Sequence, residues 1–333
     1  MNRKEKIGIL GDGGWGTALA LHLFSKGHRV MLWSAFPQYA ALLAKKRENV
    51  KYLPGFQLPR SLMITSCLDE VIAMNKILIL AIPTPYLRSV VEKIPGKTVH
   101  NKIIVNVSKG IENDTFMTPI QIVRSFIPKA ALVALSGPSH AEEVARGVPT
   151  CVVVAAHKLA NSALIQELCM SPLLRVYTSR DVIGLELGGA LKNVIAIAAG
   201  MCDGLKFGAN TKAALVTRGL HEIIRFGMRY GARQETFAGL AGIGDLITTC
   251  FSPFGRNRAV GEQLGKGRSI KTILSRMTMV AEGVKTAQSV HDLAARNGVE
   301  MPICEEVYKV IYHRKSPRNA LRDLMMRAPK AEI

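Results

Sequence analysis

The 333-residue chain lacks several features, and each absence excludes a class of protein. No uninterrupted apolar run approaches the ~20 residues that span a bilayer, so no membrane-spanning segment is expected. The longest candidates, 77–83 and 194–202, are strand or buried-helix length. The start, Met1-Asn2-Arg3-Lys4-Glu5-Lys6, passes straight into an apolar strand, and no signal peptide is expected there. The six cysteines (Cys67, Cys151, Cys169, Cys202, Cys250 and Cys304) form no CxxC pair, which argues against a zinc ribbon or a thioredoxin-type site. With no export signal, a reducing cytoplasm is the expected compartment. Cys250 follows a glycine-rich segment and could be read as a nucleophile, but a small buried hydrophobe is the simpler reading. Internal repeats and low-complexity linkers are absent, as is any cluster of metal ligands.

Acidic residues are scarce: 44 Lys and Arg against 25 Asp and Glu leave a net charge of +19. The excess is spread along the chain, +11 over residues 1–180 and +8 over the rest. There is no arginine-rich run interleaved with aromatics, so nucleic acid is not the expected partner. The longest basic cluster, Lys45-Lys46-Arg47, suits the solvated end of a helix. A field that attracts small anionic substrates is the economical reading.

A hydrophobic fraction of 48% provides for a folded protein, and the length suffices for two cores. In the first half, strand-length apolar runs recur at 6–10, 29–33, 77–82, 103–107, 131–135 and 151–155, with a last strand at 174–178. They are apolar on both faces, as buried parallel strands are. Helical stretches lie between several of them, including 17–25 and 119–126. This alternation predicts an α/β, Rossmann-like domain with a doubly wound, mostly parallel sheet over residues 1–180. From 181 to 333 the pattern is all-α, with helices at 182–200, 211–230, 259–264, 270–276, 285–297 and 304–312. Two domains without a flexible linker suggest a fixed cleft, where ligands tend to bind.

Gly11-Asp12-Gly13-Gly14-Trp15-Gly16 follows the first strand and opens a helix. In that setting Gly11 makes the tight turn, Gly13 lets a pyrophosphate approach the backbone, and Gly16 packs helix on strand. The second strand ends in Trp33-Ser34-Ala35-Phe36. An acidic residue there would hold the ribose hydroxyls of NAD and a basic one the 2′-phosphate of NADP. Ala35 is neither, so both cofactors are expected to be admitted.

Lys109, in Ser108-Lys109-Gly110, lies just past a strand's carboxyl end, where open α/β sheets bind ligands. A solvated loop lysine is the alternative. Ser139 and Glu142, in Ser136-Gly137-Pro138-Ser139-His140-Ala141-Glu142, have the spacing of a capping box and predict a helix start. His140 invites a role in hydride transfer, which one histidine at a helix start does not carry. Lys192 lies inside the long apolar helix in Gly188-Gly189-Ala190-Leu191-Lys192-Asn193. A buried lysine is expensive unless paired or functional, and burial or a nearby cation lowers its pKa toward that of a general base. Snorkelling to the surface is the alternative. The segment 239–249 puts Asp245 in an apolar loop expected to be flexible. Gly255-Arg256-Asn257-Arg258 precedes a helix expected from Ala259, a setting that suits phosphate or carboxylate binding.

In this order, GDGGWGTALA, SKG, SGPSHAEEVARG, LGGALKNVIAIAAGM, KFGAN, AGIGDLITTC and GRNR resemble the bacterial-type NAD(P)-dependent sn-glycerol-3-phosphate dehydrogenases. The likeness runs over nearly the whole chain, and GGALKN followed by GIGDL is far more specific than the glycine fingerprint. It implies reversible oxidation of sn-glycerol 3-phosphate to dihydroxyacetone phosphate for phospholipid synthesis, with NAD or NADP and no metal. It further implies a cytoplasmic homodimer.

By the same resemblance Lys192 is the proton acceptor. Lys109, Gly137, Ser139, Lys192, Asp245, Gly255, Arg256 and Asn257 contact substrate. Gly11, Gly13, Gly14, Trp15, Gly16, Ala35, Lys109, Ala141, Arg256, Val280 and Glu282 contact the dinucleotide. Gly14 stands where serine is common, and Ala35 where a basic or polar residue is common. Two rivals remain. A 6-phosphogluconate or 3-hydroxyacid dehydrogenase carries asparagine four residues after its lysine, where this chain has Ala196. A silent NAD-binding regulator would keep the glycines without needing Lys192 or Asp245.

Overall fold

The computed structural model describes residues 4–329, 331 and 332, which group into two compact units. The first holds Met1–Lys109 and Met117–Glu186; the second holds Gly110–Phe116 and Leu187–Ile333. The short segment 110–116, expected within the first domain, thus groups with the second unit.

The first unit runs β1 (Lys6–Leu10), α1 (Gly14–Ser25), β2 (Arg29–Trp33), α2 (Pro37–Lys46), β3 (Glu48–Asn49), β4 (Leu53–Gln57), β5 (Met63–Thr65), α3 (Leu68–Met74), β6 (Ile77–Leu80), α4 (Thr84–Val91), β7 (Ile103–Asn106), α5 (Pro119–Phe126), β8 (Ala131–Ser136), α6 (Ala141–Ala145), β9 (Thr150–Ala155), α7 (Leu159–Cys169) and β10 (Leu174–Ser179). Eight strands form one sheet in the order β10-β9-β8-β7-β6-β1-β2-β5, while β3 and β4 form a separate hairpin.

Every pairing in the large sheet is parallel except β8 with β9. The chain builds outward from β1 through β2 to β5, then returns to β6 on the other side and builds toward β8. The carboxyl ends of β1 and β6 therefore form the topological switch point, the usual ligand crevice of such sheets. The central strands β1, β2 and β6 are buried on both faces, and on one of them Ile7, Ile9, Val30, Leu32, Ile77, Ile79, Val105, Val133, Val152 and Val154 share one core. Each such side chain contributes ~1.5–3 kcal/mol on burial. The edge strand β10 alternates instead, burying Leu174 and Val176 and exposing Arg175 and Tyr177.

The long helix α8 (Val182–Gly204) begins in the first unit and continues in the second. Asp181 caps it, its Oδ1 accepting from the Gly184 N–H at 2.9 Å. By length and hydropathy α8 is sufficient to cross a membrane, although Glu186 and Lys192 interrupt its apolar run. However, 94% of its most apolar window is buried in protein, as in a core helix.

The second unit continues with α9 (Ala209–Arg229), α10 (Gln234–Ala238), a π-helical turn at Leu240–Gly244, α11 (Asp245–Phe251), α12 (Arg256–Gly265), α13 (Ile270–Ser275), α14 (Glu282–Asn297), α15 (Pro302–Tyr312) and α16 (Pro317–Met325). Among the described residues it contains no strand. α9 buries Val216, Gly219, Ile223, Phe226 and Gly227, the stripe of an amphipathic helix. α8 and α12 approach so closely that a Cβ on Gly200 would lie 1.9 Å from the Arg258 carbonyl oxygen, and one on Gly261 1.9 Å from that of Ile197.

Candidate active site

In the first unit, the loop after β1 is shaped by its glycines. Gly11 has φ +121°, and a Cβ there would sit 2.4 Å from the Ala81 carbonyl oxygen. A Cβ on Gly16 would sit 2.0 Å from the Gly11 carbonyl oxygen, so only glycine lets α1 fold back onto the strand end. Gly13 is different: nothing lies within 4 Å of its missing Cβ. Gly13 is also the N-cap of α1 and offers no side-chain acceptor to the first-turn amides. The Trp15 Nε1 is buried and has no hydrogen-bond partner. An open glycine at an uncapped helix end, beside an orphaned donor, fits the pyrophosphate of a dinucleotide.

The loop is held from outside by Asn49, fully buried, whose Nδ2 donates to the Asp12 carbonyl and to Thr17 Oγ1, each at 2.7 Å. The carbonyl of Tyr52 lies 2.7 Å from where a Gly14 Cβ would be, which accounts for glycine at that position. Burial raises the Asp12 carboxyl above its usual range, while Ser34 and Lys51 oppose the shift. Ala35 lies exposed just past β2, next to exposed Phe36.

At the end of β7, Asn106 folds the chain back on itself. Its Oδ1 accepts from the Ser108 N–H at 3.2 Å and its Nδ2 donates to the Ser108 carbonyl at 3.0 Å. Lys109 follows, and its Nζ donates to the Gly137 carbonyl at 2.9 Å. Gly137 has φ +126° and packs against Val152. The expected capping box at Ser139 and Glu142 is not formed. Ser139 Oγ donates to the Gly137 carbonyl at 3.0 Å, and His140 is the N-cap residue of α6. The tight Gly137 turn captures the hydroxyl before the helix can. Lys109, Gly137 and Ser139 thus form one cluster, and Ala141 approaches Gly14.

In the second unit, Lys192 is only 6% exposed, which excludes snorkelling. Its ammonium forms an ion pair with Asp245 and donates to Thr249 Oγ1 at 2.6 Å. Asp245, expected in a flexible loop, is instead the first residue of α11 and is 1% exposed. Of the glycines that suggested a loop, Gly242 serves close packing, as Gly188 of α8 does. A Cβ on Gly242 would lie 2.1 Å from the Phe237 carbonyl oxygen, and one on Gly188 2.6 Å from that of Ala241. Thr249 stands one turn after Asp245, and its hydroxyl donates to the Asp245 carbonyl at 2.6 Å. Its remaining lone pair therefore faces the ammonium. Cys250 is fully buried, and burial pushes its thiol up to about 12, which disposes of the nucleophile reading.

The helix expected from Ala259 starts earlier, with Gly255 as N-cap and Arg256 in its first turn. Arg256 is exposed and its Nη1 donates to the Val280 carbonyl at 3.0 Å. Asn257 is 7% exposed, and its Oδ1 accepts from the Gly283 N–H at 3.0 Å. That bond anchors α14 at Glu282 and brings Val280 and Glu282 beside Arg256 and Asn257. Gly283 in turn packs on the Asn193 carbonyl, 2.6 Å from where a Cβ would be. Lys192–Asn193, Gly255–Asn257 and the start of α14 form a continuous cluster. Among the described residues, no group of three His, Cys, Asp or Glu side chains could hold a metal ion.

Two sequence models cover this arrangement. The N-terminal domain of NAD-dependent glycerol-3-phosphate dehydrogenase matches residues 6–162, and the C-terminal domain of the same enzyme matches residues 181–322. The chain belongs to the NAD-dependent glycerol-3-phosphate dehydrogenase family. The glycerol-3-phosphate dehydrogenase [NAD(P)+] of Geobacter metallireducens is 49% identical, covering 98% of this chain and 99% of its own. That of Syntrophobacter fumaroxidans is 48% identical, covering 98% and 97%. The crystal structure of glycerol-3-phosphate dehydrogenase from Coxiella burnetii superposes with a TM-score of 0.94 at 34% identity, over 97% of this chain and 99% of that one.

Within this member of the glycerol-3-phosphate dehydrogenase family, two residues at the clusters carried no separate signal in the sequence reading. Thr249 could have been found from its i,i+4 spacing to Asp245, which puts both on one helix face. Asn49 follows a charged run and has no local signature; only the hairpin of β3 and β4 carries it to the glycine loop.

Proposed function

We propose that this chain interconverts sn-glycerol 3-phosphate and dihydroxyacetone phosphate with NAD(P), using Lys192 for proton transfer. The observation that carries the reading is a lysine inside an apolar helix, 6% exposed, gripped by Asp245 and Thr249. A buried charge so expensively held, within a chain of this family, is best explained by chemistry. When bound, the dinucleotide supplies the acceptor or donor for the hydride at C2.

In oxidation Lys192 as the neutral amine takes the proton of the C2 hydroxyl; in reduction its ammonium polarises the carbonyl and returns that proton to the ketone oxygen. Asp245 and Thr249 direct two of the three ammonium N–H bonds, which fixes where Nζ stands. Arg256 and Asn257 hold the phosphate. Asn257 spends its oxygen on Gly283, so its Nδ2 is the end suited to an anion. This remote grip supplies binding energy that orients C2. Lys109, Gly137 and Ser139 complete the substrate contacts. Gly11, Gly13, Gly14, Trp15 and Gly16, with Ala35, Ala141, Val280 and Glu282, receive the dinucleotide. The reading includes a cytoplasmic homodimer that supplies the glycerol phosphate of phospholipids, checked by cell fractionation and sedimentation.

The deciding experiment is absorbance loss of NADH or NADPH on adding dihydroxyacetone phosphate to the purified chain. Dinucleotide binding without such turnover would leave a silent binding module in its place.

A further inference from the structure

Glu186 lies in the second turn of α8, 5% exposed, and has no part in the reaction as derived above. Its Oε1 accepts from the Ile120 N–H at 2.9 Å and stands 3.4 Å from Asn106 Nδ2; its Oε2 accepts from Thr118 Oγ1 at 2.6 Å. Two of these bonds cap α5. Yet α5 already carries a complete capping box of its own, from Thr118 and Gln121. That box serves the N-cap and third-position amides and leaves the buried Ile120 N–H to Glu186, so the cap accounts for part of what this costly buried carboxylate does. Burial pushes this carboxyl up to about 7.

The bond that the cap does not explain runs to Asn106. Asn106 is 1% exposed and clasps Ser108 through both its amide atoms, and Ser108 Oγ bonds the carbonyls of Leu80 and Ile82. Lys109 is the next residue, aimed at Gly137. One continuous chain of contacts therefore leads from Glu186 through Asn106 and Ser108 to Lys109.

We propose that Glu186 is a positioning residue for Lys109, holding the turn after β7 by fixing the Asn106 amide. The inference rests on the assignment of Lys109 to the substrate site. Its rival is that Glu186 serves stability alone, through α5.

A double-mutant cycle separates the two. In the full chain, Glu186→Ala is expected to lower kcat/KM for dihydroxyacetone phosphate by about tenfold, with NAD(P)H affinity little changed. In a Lys109→Ala background, assayed at high enzyme concentration, the same change should cost less than about twofold. If Glu186→Ala does not fold, Asn106→Ser takes its place: serine still caps the turn at Ser108 but cannot reach Glu186, and the same loss of effect without Lys109 is expected. Equal proportional losses in both backgrounds would overturn the role of Glu186. Wild-type activity in Lys109→Ala alone would overturn the assignment of Lys109, and this inference with it, and is read from that single variant.

Discussion

Lys192 and Asp245 are 53 residues apart in the sequence and form a buried ion pair, with Thr249 holding a second proton of the same ammonium. Such a pair stabilises the fold little in itself, but breaking it by removing one partner typically costs ~3–5 kcal/mol. Its retention in a long, apolar core helix therefore points to the reaction.

Lys192→Ala should lower kcat by ~10²–10⁴-fold, the usual worth of a positioned proton-transfer group. Lys192→Arg should rescue little, because a guanidinium stays charged and cannot act as a base. Dinucleotide affinity, measured by NAD(P)H fluorescence, should hold, since Lys192 is not among the residues assigned to the dinucleotide. Thermal unfolding of the alanine variant reports the uncompensated Asp245. Near-wild-type turnover would remove Lys192 from the mechanism.

Arg256 is exposed and tethered by one bond to Val280, so its guanidinium can close on an anion. Loss of a charged partner of the substrate phosphate is worth ~2–5 kcal/mol. Arg256→Ala should therefore reduce kcat/KM for dihydroxyacetone phosphate by well over tenfold, at about 1.4 kcal/mol per decade. Unphosphorylated dihydroxyacetone should be a poor substrate of the wild type. Equal turnover of the two compounds would refute the assignment.

The exposed Ala35 at the end of β2 offers the cofactor neither attraction nor repulsion. Both NADH and NADPH should support turnover. Ala35→Asp should suppress NADPH use by setting like charge beside the 2′-phosphate, and steady-state kinetics with each cofactor reads the change. Strict NADH dependence of the wild type would show that discrimination lies elsewhere.

Glu222 of α9 caps the start of α15, accepting from the Ile303 N–H at 2.6 Å and the Cys304 N–H at 3.1 Å. Burial pushes its carboxyl up to about 7 from 4.5. A raised native pKa means that the folded state binds the extra proton between those values. Its contribution is complete below pH 4.5 and is lost as pH rises through about 7. Melting temperatures recorded between pH 5 and 8 should fall less steeply for Glu222→Gln than for the wild type, whatever the variant's absolute stability. Parallel curves would mean that Glu222 does not titrate in this range.

The central strands and Lys192 were legible because each departs from chance in one dimension. Runs apolar on both faces mark buried strands, and a lone cation in an apolar helix marks a cost to be explained. The pairing sense of β9 was not legible: a strand apolar on both faces reads alike in either direction. The short edge strand β5 buries too little to leave a pattern. At 139–142 the right spacing for a capping box was overridden by the Gly137 turn, while Thr118 and Gln121 form a real one. Asp245 was misplaced in a loop because glycine marks both flexibility and close packing, and only the neighbouring backbone tells them apart.

The contact between α8 and α12 has a consequence for the evolution of specificity. Gly200 and Gly261 put two main chains in touch, and α8 carries Lys192 while α12 carries Arg256 and Asn257. The span between Lys192 and the Arg256–Asn257 pair is thereby set by two main chains pressed together, not by any pocket-lining side chain. It works as a caliper with a locked jaw. If those residues hold the two ends of the substrate as proposed, point substitutions can weaken either tip, but a phosphorylated ketone with a longer carbon chain would require the rods themselves to slide.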